Sequence, residues 1–501
     1  MNLSLISLEI GVALLGVLVL LAGLWTPPNR RHLLGFCTAL GLTVILALLI
    51  KQGVPVDPIT DSSKSYVRDG LAVFFKALFL LAGILVTLLT MGFANRLRTG
   101  GAEVYALNCF ALCGMLFAAS ANSFVMLFVS IELITITFYV LTSLQSHRLR
   151  SLEAGVKYLI LGAAASAIMV FGIALIYGSA HTLQFVDIAG GFADGFVDDP
   201  DADTPRLRLF QLGALLLLAG LAFKIAAVPF QVWAPDVYQG APTPVTAFLA
   251  IGSKAAGFVL LLRVLYTALQ VQPGGPRLLE PTALLSLMAA ATILFGSLCA
   301  LRQRNLKRLL GYASIASAGY ALLGIVALNQ RGAAAVLVYL AGYLFAIIAA
   351  FTVISILTPD DEDEDLSILA NLHHRSPLMA VTLTLAVASL AGIPPLAGFI
   401  GKFLLLRAVI EPTATFPWLV GVALLGVVAS LYYYFGIIRE IFWGTGQWWT
   451  EKEPKSARIK LADSQVVVLL ICLLGMLVLG LYPQPLLELA TDAVQVLKLA
   501  N

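Results

Sequence analysis

LAFKIAAVPFQVWAPDVYQGAPTPVTAFLAIGSKAAG, residues 221 to 257, is the stretch that decides the fold. It places two lysines, Lys224 and Lys254, in apolar sequence with four prolines between them. A lysine in the middle of a lipid-spanning helix costs roughly 2.5 to 3.5 kcal/mol, and a proline there removes a backbone donor that lipid cannot replace. Both are tolerated where a broken helix lines a polar cavity, which is typical of an ion or substrate path. The stretch therefore predicts transport, and more narrowly proton transport.

The composition of the whole chain places this stretch in a membrane protein. Of 501 residues, 60% are hydrophobic and only 12% are charged, which lies outside the range of soluble domains. Windows of about 20 apolar residues predict about fourteen membrane-spanning helices, the seventh over residues 209 to 230 and the eighth over 243 to 268. We therefore expect an all-α polytopic membrane protein that contacts the lipid bilayer and has no nucleic-acid partner.

A second interrupted helix follows the first along the chain. Residues 388 to 407, ASLAGIPPLAGFIGKFLLLR, combine a break at Pro394–Pro395 with Lys402, as the first stretch combines Pro229 with Lys224. These are the seventh and twelfth predicted helices, so they cross the membrane in opposite directions and predict two inverted five-helix repeats. The predicted units are helices one to three (1–103), the first repeat (104–268), the second repeat (282–443), and helix fourteen with the tail (464–501).

One acid and three bases lie deep inside predicted spans, namely Glu132, Lys224, Lys254 and Lys402. If Glu132 comes within about 4 Å of Lys224, an effective dielectric near 20 gives an attraction of roughly 4 kcal/mol. Making or breaking that contact would load or unload a proton, so we predict a proton relay formed by these four residues. The alternative is a static buried pair that only fixes helix packing, and it leaves Lys254 and Lys402 without acids.

Two further cations, Lys76 and Arg263, also fall inside predicted spans. Each lies within about two turns of a span end, where a long side chain can reach the interface. We therefore expect both to extend to the membrane surface and to take no part in the relay.

Hydroxyl side chains near these charges are candidates to carry water between the lysines, and two histidines are candidates for proton entry. They are Thr135, about one turn from Glu132, Ser314, Ser317 and Tyr320 on the tenth predicted helix, Tyr339 and Tyr343 on the eleventh, and His373 and His374 before the twelfth. Hydroxyl groups also bond back to helix carbonyls, so a packing role is the alternative for them. For the two histidines, the alternative to proton uptake is an interfacial position.

The five cysteines all lie in apolar runs without a metal-binding spacing. We expect them to be buried as small hydrophobic side chains. The same pattern predicts no metal site and no redox cofactor bound by this chain.

The basic residues predict the orientation of the chain in the membrane. Loops after odd-numbered helices carry almost twice as many lysines and arginines as the other loops and the tail. Because basic loops remain on the cytoplasmic side, both termini should lie on the opposite side. The acidic loop from 187 to 203 would then lie outside and the acidic run from 360 to 365 inside. The bacterial inner (plasma) membrane is the expected location, with the thylakoid membrane as the alternative.

FKIAAVPFQVWAPDVYQGAPTPVTAFLAIGSK and SLAGIPPLAGFIGKF resemble the signature segments of the subunit N family of proton-pumping NADH:quinone oxidoreductase, respiratory complex I. They are also similar to subunit 2 of the photosynthetic NAD(P)H dehydrogenase-like complex. The resemblance implies two inverted five-helix repeats with broken helices seven and twelve. It also places the family's charged motif positions at Glu132, Lys224, Lys254 and Lys402.

The resemblance further implies a proton-translocating subunit of an NADH (or ferredoxin):quinone oxidoreductase. Its partners would be other membrane subunits of complex I, both antiporter-like neighbours and quinone-site subunits. NADH or ferredoxin, FMN, iron–sulfur clusters and quinone would be bound by partner subunits. The alternative is a subunit of a multisubunit sodium/proton antiporter, which is driven by ion gradients without redox chemistry. A solute permease fits less well, because three lysines and one acid do not form a substrate pocket.

Overall fold

The computed structural model describes residues 4–27, 30–94, 101–188, 205–269, 281–358, 364–410, 416–444 and 459–497. Most of residues 187 to 203 and of 360 to 365, the two acidic segments, lies outside the described residues. The helices, in chain order, are α1 (Ser7–Trp25), α2 (Arg31–Gln52), α3 (Gly70–Ala94), α4 (Glu103–Ala119), α5 (Phe124–Thr142), α6 (Leu149–Ala180), α7 (Pro205–Lys224), α8 (Trp233–Gly240), α9 (Thr243–Ala268), α10 (Pro281–Ala300), α11 (Leu306–Val326), α12 (Gln330–Leu357), α13 (Leu372–Arg375), α14 (Pro377–Ala391), α15 (Ala397–Ile410), α16 (Trp418–Trp443), α17 (Asp463–Leu481) and α18 (Gln484–Val494).

Within the described ranges, 12 helices are long and apolar enough to cross a membrane, and α4 and α14 are shorter apolar helices. The chain is therefore an all-α, multi-pass membrane protein, as its composition predicts. Counting the two shorter helices brings the number to the predicted value of about fourteen. That number, and the unit boundaries at 103, 268, 282 and 443, remain predictions.

Three helices form the centre of the molecule and determine where charged groups can be buried. The apolar stretch of α9 is completely buried, and those of α11 and α12 are largely buried, whereas α1 and α6 expose most of theirs. A helix that is apolar all round must contact either lipid or other helices. The lysine on α9, Lys254, is consequently surrounded by protein on every side.

The first break follows α7, which ends at Lys224, earlier than the predicted break at Pro229. The backbone of Ala226 is left-handed (φ 58°), and the N–H of Ala227 donates to the carbonyl of Ala222 at 2.9 Å. This bond over five residues is the usual closure of a helix whose next residue is left-handed. Pro229, whose preceding peptide bond is cis, lies in the non-helical segment that follows.

The second break, between α14 and α15, repeats that backbone. Gly392 is left-handed (φ 90°), and the N–H of Ile393 donates to the carbonyl of Ala388 at 3.0 Å. Pro395, which follows Pro394, lies three residues after the left-handed residue, as the proline of the first break does. The same cap and the same proline position in both breaks support the predicted inverted repeat.

The helix that carries Lys254 is not a regular α-helix throughout. Two π-helical segments, Leu249–Ser253 and Val264–Ala268, interrupt α9, and Lys254 directly follows the first. Such wider turns inside α-helices occur frequently at functional sites. The apolar window predicts the extent of this helix and does not reveal the π segments.

A short hairpin connects α2 and α3, which the sequence does not predict. Its strands Ile59–Thr60 and Val67–Arg68 pair antiparallel. The N–H of Val67 also donates to the carbonyl of Ser120, and Tyr66 bridges to Ala121, so the hairpin is fastened to the end of α4. It therefore covers the ends of α1, α3 and α4.

The cysteines are all free thiols, and their burial is mixed. Cys109, Cys113 and Cys472 are buried, as expected. Cys299 is half-buried and Cys37 is exposed on the outside of α2, so the expectation of burial is wrong for Cys37. An exposed thiol on an apolar helix face is compatible with a lipid-facing surface.

Candidate functional site

Lys224 is buried at the end of α7 and bonds to α5 through a hydroxyl group. Its Nζ donates to Thr135 Oγ1 at 2.9 Å. Thr135 lies one turn after Glu132, and Glu132 accepts a hydrogen bond from Ser166 of α6 at 2.5 Å. The ion pairs of the described residues do not include one between Lys224 and Glu132. The two charges are therefore neighbours on adjoining elements, with Thr135 as the direct partner of the ammonium.

Lys254 is buried between α9 and α11, where it meets a cluster of hydroxyl groups. Its Nζ donates to both the backbone carbonyl and Oγ of Ser314. Ser314 Oγ lies 2.9 Å from the hydroxyl of Tyr238 on α8 and accepts from the hydroxyl of Tyr343 on α12 at 3.0 Å. One serine therefore links the lysine to three helices.

Lys402 is buried on α15 and reaches back across the second break. Its Nζ donates to the carbonyls of Leu390 and Ala391 at 2.8 and 3.1 Å, at the end of α14. The last carbonyls of a helix lack partners within it and carry negative partial charge, so they stabilise a cation without an acid. The ring of Tyr320 lies 4.6 Å from Nζ and adds a cation–π contact.

The reversed order of lysine and proline in the two breaks has a geometric explanation. Counted from the left-handed residue of each break, Lys224 and Leu390 occupy the same position, two residues earlier. Lys402 comes from the second half-helix, yet its ammonium binds the carbonyl of Leu390. In both breaks a lysine ammonium therefore lies at the end of the first half-helix. The lysine comes before the proline in the first break and after it in the second.

The remaining hydroxyl candidates on α11 and α12 divide by their contacts. Tyr320, beneath Lys402, donates its hydroxyl hydrogen to the carbonyl of Ala423 at 2.9 Å. Ser317 bonds back to its own helix at 2.9 Å, and Tyr339 stacks on Tyr343 with ring centroids 6.3 Å apart. Four of the candidates thus contact a lysine of the predicted relay directly or through Ser314, namely Thr135, Ser314, Tyr320 and Tyr343. Ser317 and Tyr339 make packing contacts.

The two predicted histidines lie apart from these lysines, near the start of α14. His373 Nδ1 is 2.9 Å from the carbonyl of Ile441, and the rings of His373 and His374 are 3.9 Å apart. His373 is half-buried and His374 is exposed. This position fits the interfacial alternative and leaves a role in proton uptake as a prediction.

Sequence reasoning is wrong about Lys76 and Arg263, which do not reach the surface. Lys76 Nζ lies 2.6 Å from Glu9 Oε1, and Arg263 pairs with Asp69 at 2.8 Å, with all four side chains buried. The hairpin and the end of α4 cover this end of the bundle. The ends of the membrane spans are therefore buried by protein here and do not reach the surface. Glu9 is therefore a second acid buried in the protein, although it lies at the end of its span rather than in the middle as Glu132 does.

The sequence analysis also missed a group of charges that lies where the first turns of α6 and α11 meet α8. Asp236 of α8 lies 2.8 Å from Lys157 and 2.9 Å from Arg308. Their signal was present in the PDVYQGAP segment, whose charge and tyrosine fall on a short helix after the break. Tyr238 of the same segment is the missed partner of Ser314.

Lys307, at the start of α11, is buried and holds two other segments. Its Nζ donates to the carbonyl of Ala241 at 2.7 Å and to Glu364 at 3.3 Å. Burial works to raise the pKa of the Glu364 carboxyl, but the Lys307 ammonium and the amide of Asn305 outweigh it and hold that pKa below its ordinary value. The end of α8, the start of α11 and the loop before α13 are thereby joined. In the part of the chain that the structure describes, no group of three or more His, Cys, Asp or Glu side chains is placed to hold a metal ion.

Comparisons with known proteins agree on one family. Residues 121–430 match the family model described as NADH:quinone oxidoreductase/Mrp antiporter, TM. The chain is 38% identical to the NADH-quinone oxidoreductase subunit N of Desulforamulus reducens, with 99% of this chain and 98% of the relative covered. It is 37% identical to the subunit of that name from Moorella thermoacetica, with 98% of each chain covered.

Solved structures give the same result. A chain of respiratory complex I from Thermus thermophilus with bound Aureothin has a TM-score of 0.78 at 32% identity, covering 97% of this chain and 99% of that one. A chain of the Mrp complex from a Dietzia species has a TM-score of 0.83 at 21% identity, covering 99% and 98%. The second likeness is one of fold alone.

Proposed function

The chain belongs to the subunit N family of NADH-quinone oxidoreductases, within the NADH:quinone oxidoreductase/Mrp antiporter transmembrane family, and on that premise we propose that it translocates protons as one subunit of a quinone-reducing complex. In this proposal the complex is a translocase of the complex I type. Partner subunits bind NADH or ferredoxin, FMN, iron–sulfur clusters and quinone, and the redox reaction drives proton movement through this chain.

The observation that carries the proposal is the kind of partner that each buried lysine has. Within the described residues, Lys224, Lys254 and Lys402 donate to hydroxyl groups and helix carbonyls, and their direct partners include no carboxylate. A lysine paired with a buried carboxylate would leave an uncompensated charge when it lost its proton. A lysine held by neutral groups leaves none, so these three are suited to release and regain protons.

Glu132 supplies the step that makes the relay switchable. In the structure Lys224 bonds to Thr135, one turn from Glu132, so a small movement at the end of α7 would bring the two charges into contact. An attraction of roughly 4 kcal/mol at about 4 Å exceeds the roughly 2.3 kcal/mol that a proton needs to cross 100 mV. We infer that Glu132 retains the proton on Lys224 when close and allows its transfer toward Lys254 and Lys402 when distant.

Lys224→Ala tests the proposal in the assembled complex. We expect assembly to persist while proton uptake by inside-out membrane vesicles, driven by quinone reduction, falls about tenfold, equivalent to roughly 1.4 kcal/mol. Glu132→Ala should act in the same direction. Lys51→Ala removes an exposed lysine at the end of α2 and is the matched control. Full pumping by an assembled Lys224→Ala complex would reject the proposal.

A sodium/proton antiporter subunit is the second candidate, favoured by the shared fold with the Mrp complex chain. The two differ in their partners, because an antiporter assembly contains no redox subunits. Mild detergent extraction of the native complex should bring flavin and iron–sulfur proteins with this chain. Extraction of an assembly without either would favour the antiporter.

We also propose the bacterial inner membrane as the location, with both termini on the non-cytoplasmic side. The excess of basic residues in the odd-numbered loops supports this orientation. Tags at the two termini should react with an impermeant label that is added to spheroplasts, in which the inner membrane is intact. Labelling only after membrane rupture would reverse the orientation.

A further inference from the structure

A second set of buried charges lies where α1 and α3 meet the hairpin, and the proposed relay does not use it. Lys76 Nζ is 2.6 Å from Glu9 Oε1 and donates to the hydroxyl of Tyr66 at 2.6 Å. That hydroxyl lies 2.9 Å from the same oxygen of Glu9. All three side chains are buried, with Glu9 and Tyr66 at 0% exposure.

The set is incompletely bonded. Glu9 Oε2 is buried and has no hydrogen-bond partner among the described residues, and the same holds for Ser120 Oγ at the end of α4. Ser120 adjoins the hairpin, because its carbonyl accepts the N–H of Val67. Buried polar atoms without protein partners are normally satisfied by ordered water, particularly where several polar groups converge. The second oxygen of the Glu9 carboxylate is therefore the atom to which a water molecule would bind.

A neighbouring ion pair provides a contrast in the same part of the molecule. Arg263 binds Asp69 through two nitrogen–oxygen contacts of 2.8 and 3.0 Å and donates twice to the carbonyl of Ala119. Asp69 also accepts the N–H of Ala72 at 2.8 Å, which caps the start of α3. Every charged atom of this pair is occupied, as in a structural clamp.

Helix α9 extends from Lys254 to the Arg263–Asp69 pair, which lies at the same end of the bundle as the incomplete set. Arg263 lies on α9 nine residues after Lys254, roughly 13 Å along the axis. Glu9 lies in the first turn of α1, two residues after the exposed Ser7. In the proposed orientation this end of the bundle faces the non-cytoplasmic side.

We propose that Glu9, Lys76 and Tyr66, together with a bound water, form a proton-release site that delivers protons from the relay to the non-cytoplasmic surface. This inference rests on the proposed function. A proton arriving from the relay converts the Glu9 carboxylate to a neutral carboxyl group. Because protonation of Glu9 leaves the buried Lys76 ammonium without its counter-charge, the carboxyl then releases one proton to water at the surface and restores the ion pair, so one proton enters, one leaves and no electron moves. The other charged or titratable groups around the site are Arg68, Asp69, Cys113 and Arg263.

The alternative is that Glu9 and Lys76 only fasten α1 to α3, and the double variant Glu9→Gln/Lys76→Met separates the two. Replacing both members of a buried ion pair by neutral side chains of similar size usually preserves packing. We expect the assembled double-variant complex to reduce quinone while its proton uptake per quinone, measured in inside-out vesicles, falls several-fold. Unchanged uptake per quinone would overturn the proposal and identify a fastening role.

Two comparisons make that result specific. Asp69→Asn/Arg263→Met neutralises the fully bonded pair, and it should lower thermal stability without changing proton uptake per quinone. Lys224→Ala is measured in parallel, because full pumping by that variant would reject the proposed function itself. Loss of pumping in Lys224→Ala with full pumping in Glu9→Gln/Lys76→Met would reject the release site alone.

Tyr66→Phe keeps the inference testable if the double variant does not assemble. It retains the buried ring and removes only the hydroxyl that touches both charged groups. Uptake per quinone should again fall, by less than in the double variant. A normal ratio in Tyr66→Phe would overturn the involvement of the site.

Discussion

At the scale of single residues, the three lysines of the proposed relay have three different kinds of partner. Lys224 bonds to a threonine hydroxyl, Lys254 to a serine hydroxyl and carbonyl, and Lys402 to two helix-end carbonyls. Each arrangement stabilises the ammonium without an acid. The hydroxyl partners can also accept a hydrogen bond from water while they donate their own hydrogen, so their loss should affect proton transfer directly.

Ser314→Ala should slow proton translocation, because it removes the hydroxyl that links Lys254 to Tyr238 and Tyr343. Losing one such hydrogen bond to a charged group costs roughly 1.5 to 3 kcal/mol, so the rate should fall about tenfold or more. Proton uptake by vesicles with the assembled complex measures it. Ser317→Ala, one turn later, removes a hydroxyl that donates to the carbonyl of Ala313 and contacts none of the three lysines, so it is the control and should pump normally. Equal effects of the two would contradict the assignment.

At the scale of helices, the breaks are built by backbone geometry, and the prolines accompany them. Each first half-helix is closed by a left-handed residue and a hydrogen bond over five residues, before the proline is reached. That closure leaves the last carbonyls free, and at the second break Lys402 occupies them. A change at the left-handed position should therefore disturb the lysine as well as the helix end.

Gly392→Ala is expected to destabilise the second break by roughly 1 to 2 kcal/mol, the cost of a left-handed backbone for a residue with a Cβ atom. The new Cβ would also lie 3.1 Å from Cδ of Lys402 and displace the ammonium. Thermal unfolding and proton uptake should both decline. Gly421→Ala, on an exposed helix position with open space around it, should leave both unchanged. A normal Gly392→Ala protein would show that the break tolerates a different cap.

At the scale of the whole molecule, the buried Lys307 joins parts that are distant in the chain. It holds the end of the short half-helix α8 through Ala241 and the loop before α13 through Glu364. These two segments precede the central helices of one predicted repeat and the broken helix of the other. Lys307 therefore joins the two predicted repeats on this side of the molecule.

Glu364→Gln should destabilise the protein by roughly 3 kcal/mol, because it leaves a buried ammonium without its acid. The exposed Glu153→Gln, which loses only a surface pair with Lys157, should change stability by less than about 1 kcal/mol. Thermal unfolding of the detergent-solubilised protein measures both. Equal changes in the two variants would contradict a joining role for Lys307.

The same contact predicts a pH dependence. The folded-state pKa of Glu364 lies below its ordinary value of 4.5, so the stabilisation is complete at neutral pH and is lost as pH falls through the lowered value. The wild-type protein should therefore lose stability on the acid side, and Glu364→Gln should lose less over the same range. A parallel decline in both would show that other groups cause the acid sensitivity.

The sequence by itself determined the membrane class, the two interrupted helices and the four charged residues of the predicted relay. It could do so because the free-energy cost of a lysine or a proline in lipid depends on the residues next to it in the sequence. The extent of α9 was likewise predictable from the length of its apolar run, and Ser314 and Tyr343 were candidates because they lie on the tenth and eleventh predicted helices.

Only the tertiary structure decided which groups the lysines bind and where the protein surface lies. Thr135 as the partner of Lys224, Tyr238 as the partner of Ser314, and the burial of Glu9 with Lys76 each join elements that are distant in sequence. A hydrogen-bond partner is chosen by how helices pack, and a span end is exposed only if nothing covers it. Those are properties of the assembled bundle, so local patterns of residues do not contain them.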